Sequence, residues 1–370
     1  MKLPINQIIQ GNILDVLLTF PSGSIDMIIT SPPYWSLRDY GLADQVWDCE
    51  QLCNHRWDSD SFCLHCGGWR GQLGLEPSFD LYVRHLGVIF DQLYRVLKPE
   101  GTCWVNLGDT YSGSNNGSHD HRTVDGLGQN PRGKYRGQRA GKTRLPAKCL
   151  VQIPSRFALA MCDRGWILRN EIIWHKPNCL PSSVKDRFTV DFEKLFLFVK
   201  SKTYYFEADA VRVPHGPDKR LAGIRRAREY GYGGKGSYQD WYFNQRKKTD
   251  WVAGRKTLAM GMYASRGQTD NKPPLIHPLG RSRRCVWTIP TKAFAGAHFA
   301  VYPPALVEIP IKAGCPEGGI VLDPFFGSGT TGMVALELKR CFIGVELNPE
   351  YIRLAQERIR PYLSERRLAC

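Results

Sequence analysis

The chain has 370 residues, 42% hydrophobic and 23% charged, with a formal net charge of +15 at pH 7. That length supports one large domain with an insertion, or two domains, and the charge points to a polyanionic partner. No apolar run approaches the roughly 20 residues of a membrane span, which excludes a helical membrane protein.

Residues 5–10 and 25–30 read as strands, with a short helix from Ile13 to Leu18 between them. The second strand runs directly into Thr30-Ser31-Pro32-Pro33-Tyr34-Trp35. Its two prolines remove two backbone donors and stiffen the turn, leaving carbonyls with no internal claim on them. Ser31 adds a hydroxyl and Tyr34 a flat ring, so the corner suits a planar, amine-bearing ring. The matching chemistry is methyl transfer to an exocyclic amine, whose lone pair is delocalised and poorly nucleophilic. Hydrogen bonds from the amine to the Ser31 hydroxyl and the Pro32 carbonyl favour a tetrahedral nitrogen and localise that pair. Stacking on Tyr34 holds a base flipped out of its helix. Orientation and electrostatics then supply the rate without a covalent enzyme nucleophile.

Residues 47–70 interrupt the pattern with a cysteine-rich insert. Cys63-x-x-Cys66 followed by Gly67 is a tight knuckle that wraps two thiolates around one ion, and Cys53 with His55 completes a tetrahedral set. Cys49 and His65 stand as spare ligands. Four ligands with no open position imply a structural zinc, which folds an insert that has little core of its own. Twelve cysteines without a secretory signal predict reduced thiols and a cytoplasmic protein.

Residues 78–98 predict an amphipathic helix capped by Ser78, with Tyr82, Leu86, Ile89, Leu93 and Leu97 on one face. Lys98-Pro99-Glu100-Gly101 stops it, and Thr102 to Leu107 reads as a central strand that ends before Asp109. Asp109 either lines a site at the strand end or caps a turn. Residues 112–145 carry seven basic and two acidic side chains and read as a phosphate-touching loop, in which His119 and His121 are a solvated pair. A helix over 150–164 and a strand over 166–174 follow, with Trp174 as a core residue. Residues 192–199 and 203–206 read as a strand pair at the far edge of the sheet. From 207 to 284 the pattern dissolves into basic and aromatic clusters. Residues 210–284 alone hold 17 Lys/Arg against 5 Asp/Glu, which suits phosphate contact and groove readout. Residues 285–289 resume as a strand, and a helix runs through Ile311.

Residues 320–346 hold a second motif. The apolar run Ile320 to Leu322 reads as a buried strand ending at Asp323, and Gly327 and Gly329 let the backbone turn sharply and approach a ligand. Thr330 caps a helix to about Arg340, and a strand from Cys341 to Val345 ends in Glu346. That acid lies 19 residues after Gly327, near the spacing at which a carboxylate grips the ribose of a nucleoside cofactor. Nothing matches G-x-x-x-x-G-K-[ST], which argues against a phosphate-cradling nucleotidase. A final helix starts at Asn348-Pro349.

Ser31-Pro32-Pro33-Tyr34, followed much later by Asp323-Pro-Phe-Phe-Gly-Ser-Gly-Thr-Thr331, resembles the amino-methyltransferases of DNA in the beta arrangement, where the catalytic motif precedes the cofactor motif. The resemblance covers most of residues 1–204 and 285–370. It implies a three-layer, Rossmann-like α/β fold with a mostly parallel seven-stranded sheet. The catalytic and cofactor domain would span 1–206 and 285–370, with a zinc insert at 47–70 and a target-recognition region at 207–284. Asp323, Phe325, Gly327, Gly329, Thr330, Thr331 and Glu346 would surround S-adenosylmethionine. Ser31, Pro32, Pro33 and Tyr34 would form the catalytic tetrapeptide. Members often carry Gly-Asp near the first strand; this chain has Gly11-Asn12, which makes Asn12 a cofactor contact or a plain turn residue. Phe299 and Ala300 fall where the family builds one wall of the cofactor pocket.

Ser at the head of the tetrapeptide is typical of members similar to the cytosine-amine enzymes, and Asp is commoner in adenine-amine enzymes. The expected reaction is therefore methylation of cytosine N4 in double-stranded DNA, with adenine N6 as the alternative. A binding protein that kept the fold without turnover is the further alternative. The resemblance also brings in a prokaryotic or viral setting and a cognate restriction endonuclease as a partner.

Overall fold

The computed structural model describes residues 3–37, 39–49, 52–113, 144–215, 279–291 and 302–364. His119, His121, Phe299, Ala300 and most of the 207–284 segment lie outside the described residues. The chain divides into two compact units, residues 1–210 with 284–370, and residues 211–283. In the smaller unit Val213 and Arg281 form an isolated antiparallel bridge, each N–H donating to the other's carbonyl.

The larger unit opens with β1 (Gln7–Gln10), α1 (Ile13–Leu18) and β2 (Ile25–Thr30). A small antiparallel insert follows, made of β3 (Gln45–Trp47) and β4 (Trp69–Gly71). Next come α2 (Phe79–Val96), β5 (Leu97–Leu107), α3 (Ile153–Asp163), β6 (Ile167–His175), β7 (Phe192–Val199) and β8 (Val286–Thr288). The chain then forms α4 (Pro304–Gly314), β9 (Ile320–Asp323), α5 (Thr330–Glu337), β10 (Cys341–Glu346) and α6 (Pro349–Ser364).

Among the described residues, eight strands form one sheet in the order β1-β10-β9-β2-β5-β7-β6-β8. β7 runs against both neighbours, and every other pairing is parallel. The expected α/β architecture holds, with one strand more than the expected seven. The edge strand β8, within the expected 285–289, is three residues long and pairs Trp287 with Trp174 of β6. Helices α1, α2 and α3 pack together against one face, and α4, α5 and α6 against the other. Among the described residues no helix is long and apolar enough to cross a membrane.

The amphipathic pattern of α2 works as read. Ser78 Oγ accepts the N–H of Leu81 at 3.2 Å, and Tyr82, Leu86, Ile89 and Leu93 are wholly buried. Each such aliphatic burial contributes about 1.5–3 kcal/mol. Two local expectations differ from the structure. The segment around Pro99 does not separate helix from strand: β5 starts at Leu97, and a register shift in its pairing with β2, between Ile25 and Met27, accommodates the proline. Residues 203–206 form no strand; the Tyr205 N–H donates instead to the Glu100 carbonyl at 2.8 Å.

The register positions the site. Gln10 lies opposite Glu346, Gly344 opposite Asp323, and Thr30 opposite Val105. The carboxyl ends of β1, β10, β9, β2 and β5 therefore share one edge, the side on which parallel α/β sheets bind ligands. Because β7 is antiparallel, its amino end reaches that same edge, with Lys194 opposite Leu107.

Candidate active site

The two motifs meet through neighbouring strands. Thr30, the last residue of β2, donates its hydroxyl to Asp323 Oδ1 at 2.7 Å, and both side chains are buried. One continuous cleft of about 810 Å³ is lined by Ser31, Pro32, Pro33 and Tyr34 on one side and by Phe325, Gly327, Thr330 and Glu346 on the other.

In the corner, Tyr34 Oη lies 2.7 Å from Glu193 Oε2 and 3.1 Å from Asn106 Oδ1. Ser31 Oγ lies 3.4 Å from both Tyr34 Oη and Asn106 Oδ1. Burial, reinforced by the Glu193 charge, holds the Tyr34 phenol well above its usual pKa. The Pro33 carbonyl accepts the hydroxyl of Tyr82 from α2 at 2.7 Å, so it serves the scaffold. Gly108 leaves room for the tyrosine: a Cβ there would lie 2.6 Å from a Tyr34 ring carbon. Gly108→Ala is therefore expected to tilt the ring at a cost of about 1–3 kcal/mol. The check is a turnover rate reduced at least tenfold with unchanged cofactor affinity.

The glycine turn is braced from three sides. Gly327 and Gly329 have φ of +51° and +81°, conformations that other residues adopt only with strain. Asp323 accepts from Thr30, from the Phe325 N–H, from Thr331 Oγ1 at 2.5 Å and from Tyr302 Oη at 3.0 Å. Four donors occupy its two oxygens, so Asp323 ties the turn to the sheet. Burial raises its pKa, and those same donors oppose the rise. Glu346 accepts the Gly327 N–H on one oxygen at 2.7 Å and the Leu347 and Asn348 N–H groups on the other. Burial also raises the Glu346 pKa. From α6, Arg358 Nη1 donates to Ser328 O at 2.6 Å and to Ser328 Oγ at 2.7 Å.

Of the residues expected at the cofactor, Asn12, Phe325, Gly327, Thr330 and Glu346 line the cleft. Asp323, Gly329 and Thr331 stand behind them in the supporting network. Asn12 also caps α1, accepting the Leu14 N–H at 2.9 Å. Asp109 takes the capping role: it accepts the Ile153 N–H at 3.0 Å, at the start of α3. Trp174 is buried as expected and also borders the cleft. Lys176 and Tyr302 also line the cleft, as do Asn106 and Glu193, which had not been singled out from the sequence.

In the insert, ligand atoms of Cys49, Cys53, His55 and Cys66 all lie within 4.8 Å of one another. Cys63 Sγ is 3.7 Å from Cys53 Sγ and accepts the His65 N–H at 3.4 Å. Two sulfurs bound tetrahedrally to one zinc at about 2.3 Å stand roughly 3.8 Å apart, so these side chains fit such an ion. Of the two spares, Cys49 joins the group, whereas the His65 ring turns to the Asn54 carbonyl. Gly68 closes the knuckle where a Cβ would meet Trp47 O at 2.9 Å and Cys49 Cβ at 3.0 Å. Trp47 and Trp69, one from each insert strand, stack on the buried His85 of α2 at 4.6 and 5.7 Å. His85 bridges Asp48 and Glu76, and Glu76 O accepts the indole N–H of Trp35, next to Tyr34.

The sequence pattern of the N6/N4 DNA methylases matches residues 25–357 of the chain. The chain belongs to that family. Type II methyltransferase M.Cfr9I of Citrobacter freundii is 35% identical over 350 residues, covering 95% of this chain and 86% of the relative. M.SmaI of Serratia marcescens is 33% identical, with 95% and 90% covered. Among solved structures, the PvuII DNA methyltransferase (cytosine-N4-specific) superposes with a TM-score of 0.53 at 18% identity, covering 95% of this chain and 85% of that one. That likeness speaks to the fold.

The methylase is thus a site-specific DNA methyltransferase that depends on S-adenosylmethionine, which supplies an activated methyl group on a sulfonium. The cleft fits such a donor in volume, in the close backbone approach at the glycine turn and in the carboxylate held at the end of β10. Arg358→Gln is expected to loosen that turn and weaken S-adenosylmethionine binding about tenfold, the scale of one lost charged hydrogen bond. Isothermal titration checks this; unchanged affinity would remove Arg358 from the account.

Proposed function

We propose that the methylase transfers the methyl group of S-adenosylmethionine to the N4 amine of a cytosine flipped out of duplex DNA. The observation that carries this is the Thr30–Asp323 hydrogen bond, which holds the proline corner and the glycine turn on adjacent strands of one cleft. Ser31 Oγ and the Pro32 carbonyl take the two amine hydrogens, which localises the lone pair. Tyr34 stacks on the base, Asn106 and Glu193 fix the orientation of that ring, and Glu346 holds the ribose of the donor. Ser31 at the head of the tetrapeptide supports cytosine as the target.

Residues 207–284, with their excess of basic side chains, read the DNA sequence. Cys53, His55, Cys63 and Cys66, with Cys49 as the alternative fourth ligand, hold a structural zinc. A restriction endonuclease acting at the same sequence is the fitting partner, since the relatives are type II methyltransferases. Mass spectrometry of nucleosides from DNA treated with the protein tests the base. The expected product is N4-methylcytosine; N6-methyladenine alone would reassign the target, and no methylated base would leave a binding protein.

A further inference from the structure

Methylating an exocyclic amine leaves a surplus proton, and neither a serine hydroxyl nor an asparagine amide can keep it. Among the described residues, the hydrogen-bonded set of Ser31, Tyr34 and Asn106 reaches one carboxylate: Glu193 Oε2, 2.7 Å from Tyr34 Oη, which is itself 3.4 Å from Ser31 Oγ. We propose that Glu193 is the terminal proton acceptor of the reaction, reached from the amine through Ser31 Oγ and Tyr34 Oη. This rests on the amine-methylation reading above and holds for either base.

The step balances. The amine lone pair forms the new N–C bond as the C–S bond breaks with its electrons left on sulfur. One amine proton passes to Ser31 Oγ while the serine proton moves to Tyr34 Oη and the tyrosine proton to Glu193. The high pKa of the Tyr34 phenol keeps it protonated at rest, as a relay member must be. The 3.4 Å separation is long for a hydrogen bond, and catalytic contacts of this kind commonly tighten only when substrate is bound. Asn106 steadies the relay, since its Oδ1 faces both hydroxyls while its Nδ2 donates to the Lys194 carbonyl at 3.2 Å.

Glu193 can accept a proton and pass it on. Its other oxygen pairs with Lys176, whose ammonium lies 4.4 Å from the Trp174 ring centroid. The Glu193 side chain is 17% exposed, which gives the proton a route to water. Among the described residues, the other charged groups on β6, β7 and the segment before β7 nearby are the His175–Asp191 pair, at 3.6 Å, and Lys194, which is 2.7 Å from Glu171 and whose charge also acts on Asp109. None of them touches Tyr34 Oη among the contacts of the described residues. Transfer requires Glu193 to have room for a proton, so the rate falls at low pH.

Glu193→Gln keeps a hydrogen-bonding partner for Tyr34 but cannot take a proton, and Tyr34→Phe keeps the ring but breaks the relay. Single-turnover methyl transfer to duplex DNA is expected to fall about 10²-fold in each, the scale of general-base catalysis. Affinities for S-adenosylmethionine and DNA should stay within twofold of wild type. The acidic limb of the wild-type pH–rate profile should vanish in both variants, and the double variant should be no slower than either single one. A Glu193→Gln enzyme within twofold of wild type, with the same pH profile, would overturn the relay. If that variant misfolds, Tyr34→Phe decides alone by the same criterion. Failure of wild-type protein to methylate DNA would instead sink the functional reading itself.

Discussion

Tyr34→Ala is expected to lower single-turnover methyl transfer by about 10³-fold while leaving S-adenosylmethionine affinity near wild type. Two losses combine. Base–aromatic stacking contributes about 1–3 kcal/mol per base, so a flipped base is held less tightly and in more orientations. The hydroxyl that links Ser31 to Glu193 also disappears, which removes about 10² by itself. The ring sits over Gly108 and is tied by Oη to Glu193 and Asn106, so its position is fixed before substrate arrives. Rapid-quench transfer of a labelled methyl group measures the effect. A loss below tenfold would mean that the ring neither stacks on the base nor carries its proton.

Stripping the metal from the insert is expected to have the second large effect. Zinc binding in small structural sites is worth about 10–16 kcal/mol, far more than two three-residue strands can supply. Cys66→Ser, or incubation with a strong chelator, should release about one zinc per chain. The insert should then lose its protection against hydrogen exchange. The consequence reaches the active site because Trp47 and Trp69 stack on His85, and His85 holds Glu76, whose carboxylate and carbonyl accept the Gly74 N–H and the Trp35 indole. Release of that brace is expected to slow methyl transfer by at least tenfold. Protein that carries no zinc when purified under reducing conditions, with the insert protected, would contradict a metal-held knuckle.

Much of the fold was legible because its signals are local. The apolar runs before Ser31 and before Asp323 announced two buried parallel strands, and the helix stripe from Tyr82 to Leu93 needed only its period. Glu346 was legible by its distance from Gly327 along a strand–turn–helix–strand unit. What escaped depends on pairing. Glu193 is the second residue of β7, and only the antiparallel course of that strand carries its amino end to the edge where the parallel strands finish. Asn106 lies one residue before the end of β5 among apolar neighbours and gave no pattern of its own. Asp323 was expected at the cofactor, yet four donors from β2, the glycine turn, α5 and Tyr302 occupy its carboxylate, and no spacing rule counts donors from remote segments. His85 looked like one more residue on a helix, although two tryptophans and two carboxylates from the insert side enclose it.

The most direct test compares Ser31→Ala with Glu346→Ala in single-turnover transfer of a labelled methyl group to duplex DNA, with donor affinity measured alongside. Both variants should lose transfer, but for different reasons: Ser31→Ala with donor binding intact, Glu346→Ala with donor binding weakened at least tenfold. Transfer at the wild-type rate in either variant, or a weakened donor affinity in Ser31→Ala equal to that in Glu346→Ala, would contradict a cleft in which one wall holds the amine and the other the methyl donor.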